Sequence, residues 1–182
     1  MDGKLKGLIA YSSKTGNTKK LAETIFRELQ NQCQVTLLDL KEHKIIDAEN
    51  YDFILLGGWV DKAKPDKAVL KILEKIEPKN LGIFVTMGAM PDSPHGEDVK
   101  NNIKEILKKY NSLGYGICPG TVDEKVIARM KMIPDMIIPK SVKDKMVEPG
   151  NNSREATEEE RIKVANEYKE SVKNMEQKLL LT

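Results

Sequence analysis

The chain has little of what marks a specialised class. Its 182 residues include two cysteines, Cys33 and Cys118, so neither a disulfide framework nor a CxxC metal or redox pair can be built. Basic residues (30) nearly cancel acidic ones (28), for a net charge of +2, which gives no strong field to draw nucleic acid or an anionic membrane. The longest nearly apolar run, Phe53 to Val60, falls far below the roughly 20 residues that span a bilayer. Met1-Asp2-Gly3-Lys4 opens the chain with no n-region, h-region and cleavage site in order. HExxH and GxSxG are absent, and His43 and His95 lie far apart, so no catalytic acid, nucleophile or metal cluster is legible. What remains has an ordinary globular composition, 40% apolar and 32% charged. A soluble, cytoplasmic protein with one domain over residues 1–182 is expected.

What is present is a rhythm of short apolar runs and amphipathic segments. Leu5 to Tyr11, Gln34 to Leu40, Tyr51 to Gly58, Leu81 to Met87 and Tyr115 to Cys118 read as strands. Between them, helices are expected from Thr18, with Leu21, Ala22, Ile25, Phe26 and Leu29 on one face; from Pro65, with Pro78 just beyond its end; and from Ser93-Pro94. Lys41 to Asn50 has room for one or two helical turns. Strands apolar on both faces and separated by helices imply a parallel sheet covered on both sides. The expected α/β fold is doubly wound, with five parallel strands in the order 2-1-3-4-5, and its crevice opens where strands 1 and 3 diverge. Residues 119–153, punctuated by Pro119, Pro134, Pro139 and Pro149, read as an irregular excursion with one short amphipathic piece at Val122 to Met130. Thr157-Glu158-Glu159-Glu160 then has the pattern of a capping box. It opens a long terminal helix with Ile162, Ala165, Tyr168, Val172, Met175 and Leu179 inward, on the face that the first helix shares.

Ser13-Lys14-Thr15-Gly16-Asn17-Thr18 joins the first strand to the first helix. One hydroxyl or amide there would be an ordinary helix cap. Three hydroxyls and an amide directly after a buried strand, at a helix start with its free N–H groups and partial positive charge, form a phosphate site. The Walker pattern GxxxxGK[ST] is not met, and GxGxxG is absent from this turn. The motif Ser13-x-Thr15-Gly16-Asn17-Thr18 resembles the phosphate loop of the flavodoxins, which holds the 5′-phosphate of FMN, and the resemblance covers residues 4 to about 118 in order. It implies a flavodoxin-like fold and FMN as cofactor. The hydroxyls of Ser13, Thr15 and Thr18, the Asn17 amide and backbone N–H groups would sit on the phosphate, with Lys14 adding charge or facing water.

The same resemblance places the isoalloxazine ring between the loops after strands 3 and 4. Gly58, Trp59, Val60 and Asp61 belong to the first, and Trp59, the one tryptophan in the chain, is suited to stack on a planar ligand. Thr86, Met87, Gly88 and Ala89 belong to the second. The family's loop tyrosine is missing there, and Met87 or Met90 can take its place against the ring. Flavodoxins often carry a glycine where Val60 stands, whose peptide flips towards flavin N5. A β-branched residue adopts positive φ poorly, so strong accumulation of the neutral semiquinone is not expected. The implied function is electron transfer to a separate reductase, with an FMN-dependent reductase acting on a quinone or similar planar acceptor as the alternative. The Gly-Trp-Val-Asp-Lys stretch and Cys118-Pro119-Gly120 are also similar to those of the flavodoxin-like proteins that accompany bilirubin reductase, which makes that enzyme a candidate partner. The excursion, with Lys125, Arg129, Lys131, Lys140, Lys143 and Lys145 and four of the chain's eight methionines, is a candidate partner- or substrate-facing surface beside the flavin.

Overall fold

The computed structural model describes residues 4–77 and 79–181. Met1–Gly3 and Pro78, which carried the N-terminal and helix-end readings, lie outside the described residues. No described helix is long and apolar enough to cross a membrane.

The apolar runs become strands β1 (Lys6–Tyr11), β2 (Gln34–Asp39), β3 (Phe53–Asp61), β5 (Asn80–Met87) and β6 (Asn111–Pro119), in the parallel order β2-β1-β3-β5-β6. This is the expected doubly wound order, with one addition. A two-residue strand, β4 (Lys64–Pro65), folds back antiparallel on the end of β3, so the sheet has six strands.

Alternation along each strand feeds two cores. Leu8 and Ala10 of β1 and Ile54 and Leu56 of β3 face one way, against Val69 and Ile72 of α2 (Lys67–Leu73) and Val99, Ile103 and Leu107 of α3 (Pro94–Leu107). Ile9, Tyr11, Phe53, Leu55 and Phe84 face the other way. There they meet Leu21, Ala22, Ile25 and Leu29 of α1 (Asn17–Leu29) and Val164, Ala165, Tyr168, Val172 and Met175 of α6 (Glu158–Leu180). The capping box expected at Thr157 and Glu160 is present. Leu179, expected to face inward, is exposed. The 23-residue helix is about 35 Å long, whereas strands of 6–9 residues run about 20–30 Å.

Two local readings are corrected and one is narrowed. Pro65 does not start α2: it pairs with Val60 as part of β4, and Asp66 is the N-cap, accepting from Ala68 N–H at 2.9 Å. Lys41 to Asn50, given room for one or two helical turns, holds one, the 3-10 turn Ala48–Asn50. Residues 119–153 are not irregular, since they form a helical pair, α4 (Glu124–Met132) and α5 (Lys140–Asn151), the latter running through Pro149. Two sets of contacts hold the pair. Val122 N–H donates to Ser153 Oγ (3.0 Å), which in turn donates to the Gly150 carbonyl, closing its base. At the far end the buried Lys143 ammonium donates to the Ile133 carbonyl (2.6 Å) and pairs with Asp135. Beside that far-end contact Met132, Met136 and Ile137 are exposed.

Candidate functional site

The loop between β1 and α1 turns at Gly16, whose φ of +90° is the left-handed conformation that suits glycine. Gly16, as the N-cap residue, has no side chain to cap α1. Ser13 Oγ accepts only from Lys19 N–H, at 3.3 Å, and a helix start leaves its first N–H groups without intrahelical acceptors. The N–H groups of Asn17 and Thr18 are thus left without intrahelical acceptors at the positive end of the helix dipole.

Not every polar group of the motif faces that opening. Thr18 is buried and shares a 2.8 Å hydrogen bond with Thr86 Oγ1, also buried. Its hydroxyl is thus held by β5. The Asn17 amide donates to Thr15 Oγ1 (2.6 Å) and Thr121 Oγ1 (2.9 Å), and Thr15 Oγ1 donates to the Thr121 carbonyl (3.3 Å). These two side chains shape the loop and fasten it to residues just after β6.

On the other wall β3 runs past Gly58 to Asp61, so Trp59 and Val60 lie within a strand and not in a loop. The turn back to β4 uses Lys62 and Ala63, with φ of +49° and +61°, the positive values a two-residue type I′ turn requires. Val60 keeps ordinary strand backbone beside Pro65. Asp66 fixes this hairpin from its own N-cap position: its Oδ2 accepts from Trp59 N–H (3.3 Å), and its N–H donates to the Trp59 carbonyl (3.0 Å). Burial pushes the Asp66 carboxyl up, against backbone N–H groups that pull it down. A Cβ on Gly58 would fall 2.5 Å from Asp66 Oδ2, so Gly58 makes room for this carboxylate.

The two walls meet in a cavity of about 230 Å³. Of the residues singled out from the sequence, Lys14, Thr15, Trp59, Val60, Asp61, Thr86, Met87 and Gly88 line it. Ser13, Gly16, Asn17 and Thr18 build the adjoining helix start, while Gly58 and Ala89 are not among the lining residues. Met87 lines the cavity, and Met90 is exposed elsewhere.

The remaining wall comes from the segment expected beside the flavin, but from residues that the sequence reading did not single out. Gly120, Thr121, Val122, Asp123 and Val126, from the end of β6 into α4, also line the cavity. Gly120 N–H donates to the Met87 carbonyl at 2.8 Å, and a Cβ there would lie 3.2 Å from those of Asn17 and Thr86. Asp123 Oδ2 stands 3.5 Å from Lys14 Nζ, which lies 5.4 Å from the Trp59 ring centroid. Its carboxyl is held below the ordinary value, first by Lys125 N–H and also by Lys14. The available signal was positional, since ligands of open α/β sheets sit beyond the carboxyl ends of the strands, and Gly120 directly follows β6.

The donors suit a phosphate: the first N–H groups of α1, the Ser13 hydroxyl, whose own hydrogen is uncommitted, and the Lys14 ammonium. The indole of Trp59 and the thioether of Met87 suit a planar group next to it. Comparisons with known proteins agree in kind. The flavodoxin domain family matches residues 8–173. The flavodoxin-like domain-containing protein BilS of Clostridioides difficile (strain CD3) is 40% identical over 136 residues, 72% of this chain and 77% of that one. Among solved structures, oxidised flavodoxin 2 from Bacillus cereus is 18% identical and overlaps 91% of this chain and 98% of its own at a TM-score of 0.55. A flavodoxin from the domain Archaea is 15% identical over 81% and 100%, at a TM-score of 0.50. The two structures speak to the fold.

Proposed function

The chain belongs to the flavodoxin family, and from that premise we propose that it binds FMN and carries electrons to a separate reductase. One observation carries the reading: the loop Ser13–Thr18 and the start of α1 adjoin the cavity that Trp59 and Met87 line. The N–H groups of that helix start, the Ser13 hydroxyl and Lys14 would hold the phosphate, and the Thr15 hydroxyl would join them on leaving the Thr121 carbonyl. Asn17, through Thr15 and Thr121, keeps the loop in shape for it. Trp59 and Met87 would flank the ring, with Val60 and Asp61 along one edge and Thr86 and Gly88 along the other.

Bound FMN supplies the redox chemistry, taking up and releasing electrons. The chain's own residues set the surroundings. Val60, Met87, Val122 and Val126 give the cavity an apolar part, and a bound ring would displace water from it; a medium of low dielectric disfavours added negative charge. The carboxylates of Asp61 and Asp123 act in the same direction. These surroundings would make negative charge on a bound flavin less favourable. Cys33 and Cys118 are buried, and burial pushes their thiols up to about 11 and about 12. They stay protonated and stand outside the chemistry, and two free thiols fit the reducing cytoplasm.

The partner proposed is a reductase, with bilirubin reductase the first candidate on the strength of the Gly58-to-Lys62 stretch and the BilS relative. Turnover by the purified protein tests the carrier assignment. Given FMN and a reduced nicotinamide, it is expected to reduce a quinone no faster than free FMN does, and to gain activity when the reductase is added. Rapid, saturable quinone reduction by the protein alone would favour the enzyme reading instead.

A further inference from the structure

Lys14 occupies the variable position of the phosphate loop, and in this fold its ammonium is already engaged. It lies 5.4 Å from the Trp59 ring centroid and 3.5 Å from Asp123 Oδ2. All three residues border the same cavity, so the lysine covers the indole on the side where a flavin would stack. Asp123 is also the N-cap of α4, accepting from Lys125 N–H at 2.9 Å. The ion pair therefore ties the helical pair to the phosphate loop, beside the Thr15–Thr121 and Asn17–Thr121 hydrogen bonds. So closed, the cavity of about 230 Å³ is smaller than the 300–1,000 Å³ or so that ligand pockets usually offer.

We propose that Lys14 is a specificity-determining residue which makes the site select phosphorylated over unphosphorylated flavin. With no phosphate present the ammonium stays on Trp59 and Asp123, and the stacking face is covered. A phosphate carries close to two negative charges and three acceptor oxygens, against the single charge of Asp123. FMN therefore draws the lysine from the indole and from the carboxylate in one exchange, which uncovers the ring and frees α4. Riboflavin has the same ring but nothing to compensate the lysine, so it must displace the cation–π contact and the ion pair unaided. Both contacts are partly exposed, and together they are worth a factor of about ten.

The inference rests on the FMN reading, and titrations of the single tryptophan's fluorescence with FMN and with riboflavin separate the two. In the wild type FMN is expected to bind far more tightly than riboflavin. Lys14→Met is expected to bind riboflavin about fivefold more tightly, through loss of the cover, and FMN about tenfold more weakly, through loss of a charge-assisted contact. The gain for riboflavin is the discriminating result, because a merely structural lysine would weaken both ligands when removed. Asp123→Asn keeps the N-cap but loosens the latch, and it is expected to bind FMN more tightly and faster. An FMN-to-riboflavin ratio unchanged in Lys14→Met, or weaker FMN binding by Asp123→Asn, overturns the role of Lys14 and leaves the cofactor assignment standing. A wild type that binds neither flavin overturns both.

Discussion

At Thr18 two functions meet in one side chain, since a residue of the phosphate-loop motif is also a buried hydrogen-bond partner of Thr86. Both threonines are almost fully buried, so a hydroxyl deprived of its partner has no water to turn to. Thr86→Val, nearly isosteric, is expected to cost about 1–3 kcal/mol, the penalty of one unsatisfied buried polar group. The double variant Thr18→Val/Thr86→Val is expected to recover much of that loss, because both polar groups are then gone. Urea unfolding of the four proteins in this cycle measures it, and additive losses would mean the pair is not coupled. The loop's chemistry was legible in the sequence because Ser13 to Thr18 is a local pattern at a strand–helix junction. The Thr18–Thr86 bond was not, because it depends on the register of β5 against β3, where Thr86 pairs with Trp59.

At the scale of elements, the cap of the terminal helix was legible, while the cap of α2 and the turn before it were not. The capping box at Thr157 and Glu160 was visible as a local spacing, and the structure adds a second partner. Arg154 grips Glu160 through two hydrogen bonds of 2.8 and 2.7 Å. Arg154 first, then the Thr157 backbone, hold the Glu160 carboxyl down to about 2, against an ordinary 4.5. A carboxyl lowered on folding contributes stability that is fully present above its unfolded value and lost as pH falls through its folded one. Between about pH 4.5 and 2 the wild type is therefore expected to lose stability more steeply than Glu160→Gln. The difference stays below about 1 kcal/mol, because the pair is solvent-exposed. Urea midpoints across that range check it, and parallel slopes would remove Glu160 as a cause. By contrast, the β3–β4 hairpin has no Asn-Gly or Asp-Gly to announce it. Lys62 and Ala63 adopt positive φ, held there by pairing on both sides and by Asn102 Nδ2 on the Ala63 carbonyl at 2.9 Å. Helix α5 was hidden because Pro149 breaks its pattern, although at position ten of twelve it interrupts only the last turn.

At the scale of the whole molecule, the sheet and its order followed from strands apolar on both faces and from right-handed crossovers. The third wall of the cavity did not. Gly120 to Val126 reaches the phosphate loop across more than 100 residues of chain, through Thr121 on Asn17 and Asp123 on Lys14, and nothing local in those residues declares it. That wall joins the helical pair to the site, yet the lysines and methionines of the segment are not among the lining residues, and its exposed Met132, Met136 and Ile137 stand at the far end of the pair. The central claim is that the start of α1 and the cavity beside it form one mononucleotide site. Titration of the purified, flavin-free protein with FMN tests this most directly, followed by flavin absorbance and Trp59 fluorescence together. Expected is saturable binding of one FMN per chain, with a shifted flavin band and quenching of the tryptophan in step. A flavin spectrum identical to that of free FMN, with Trp59 emission unchanged at saturating concentrations, would contradict it.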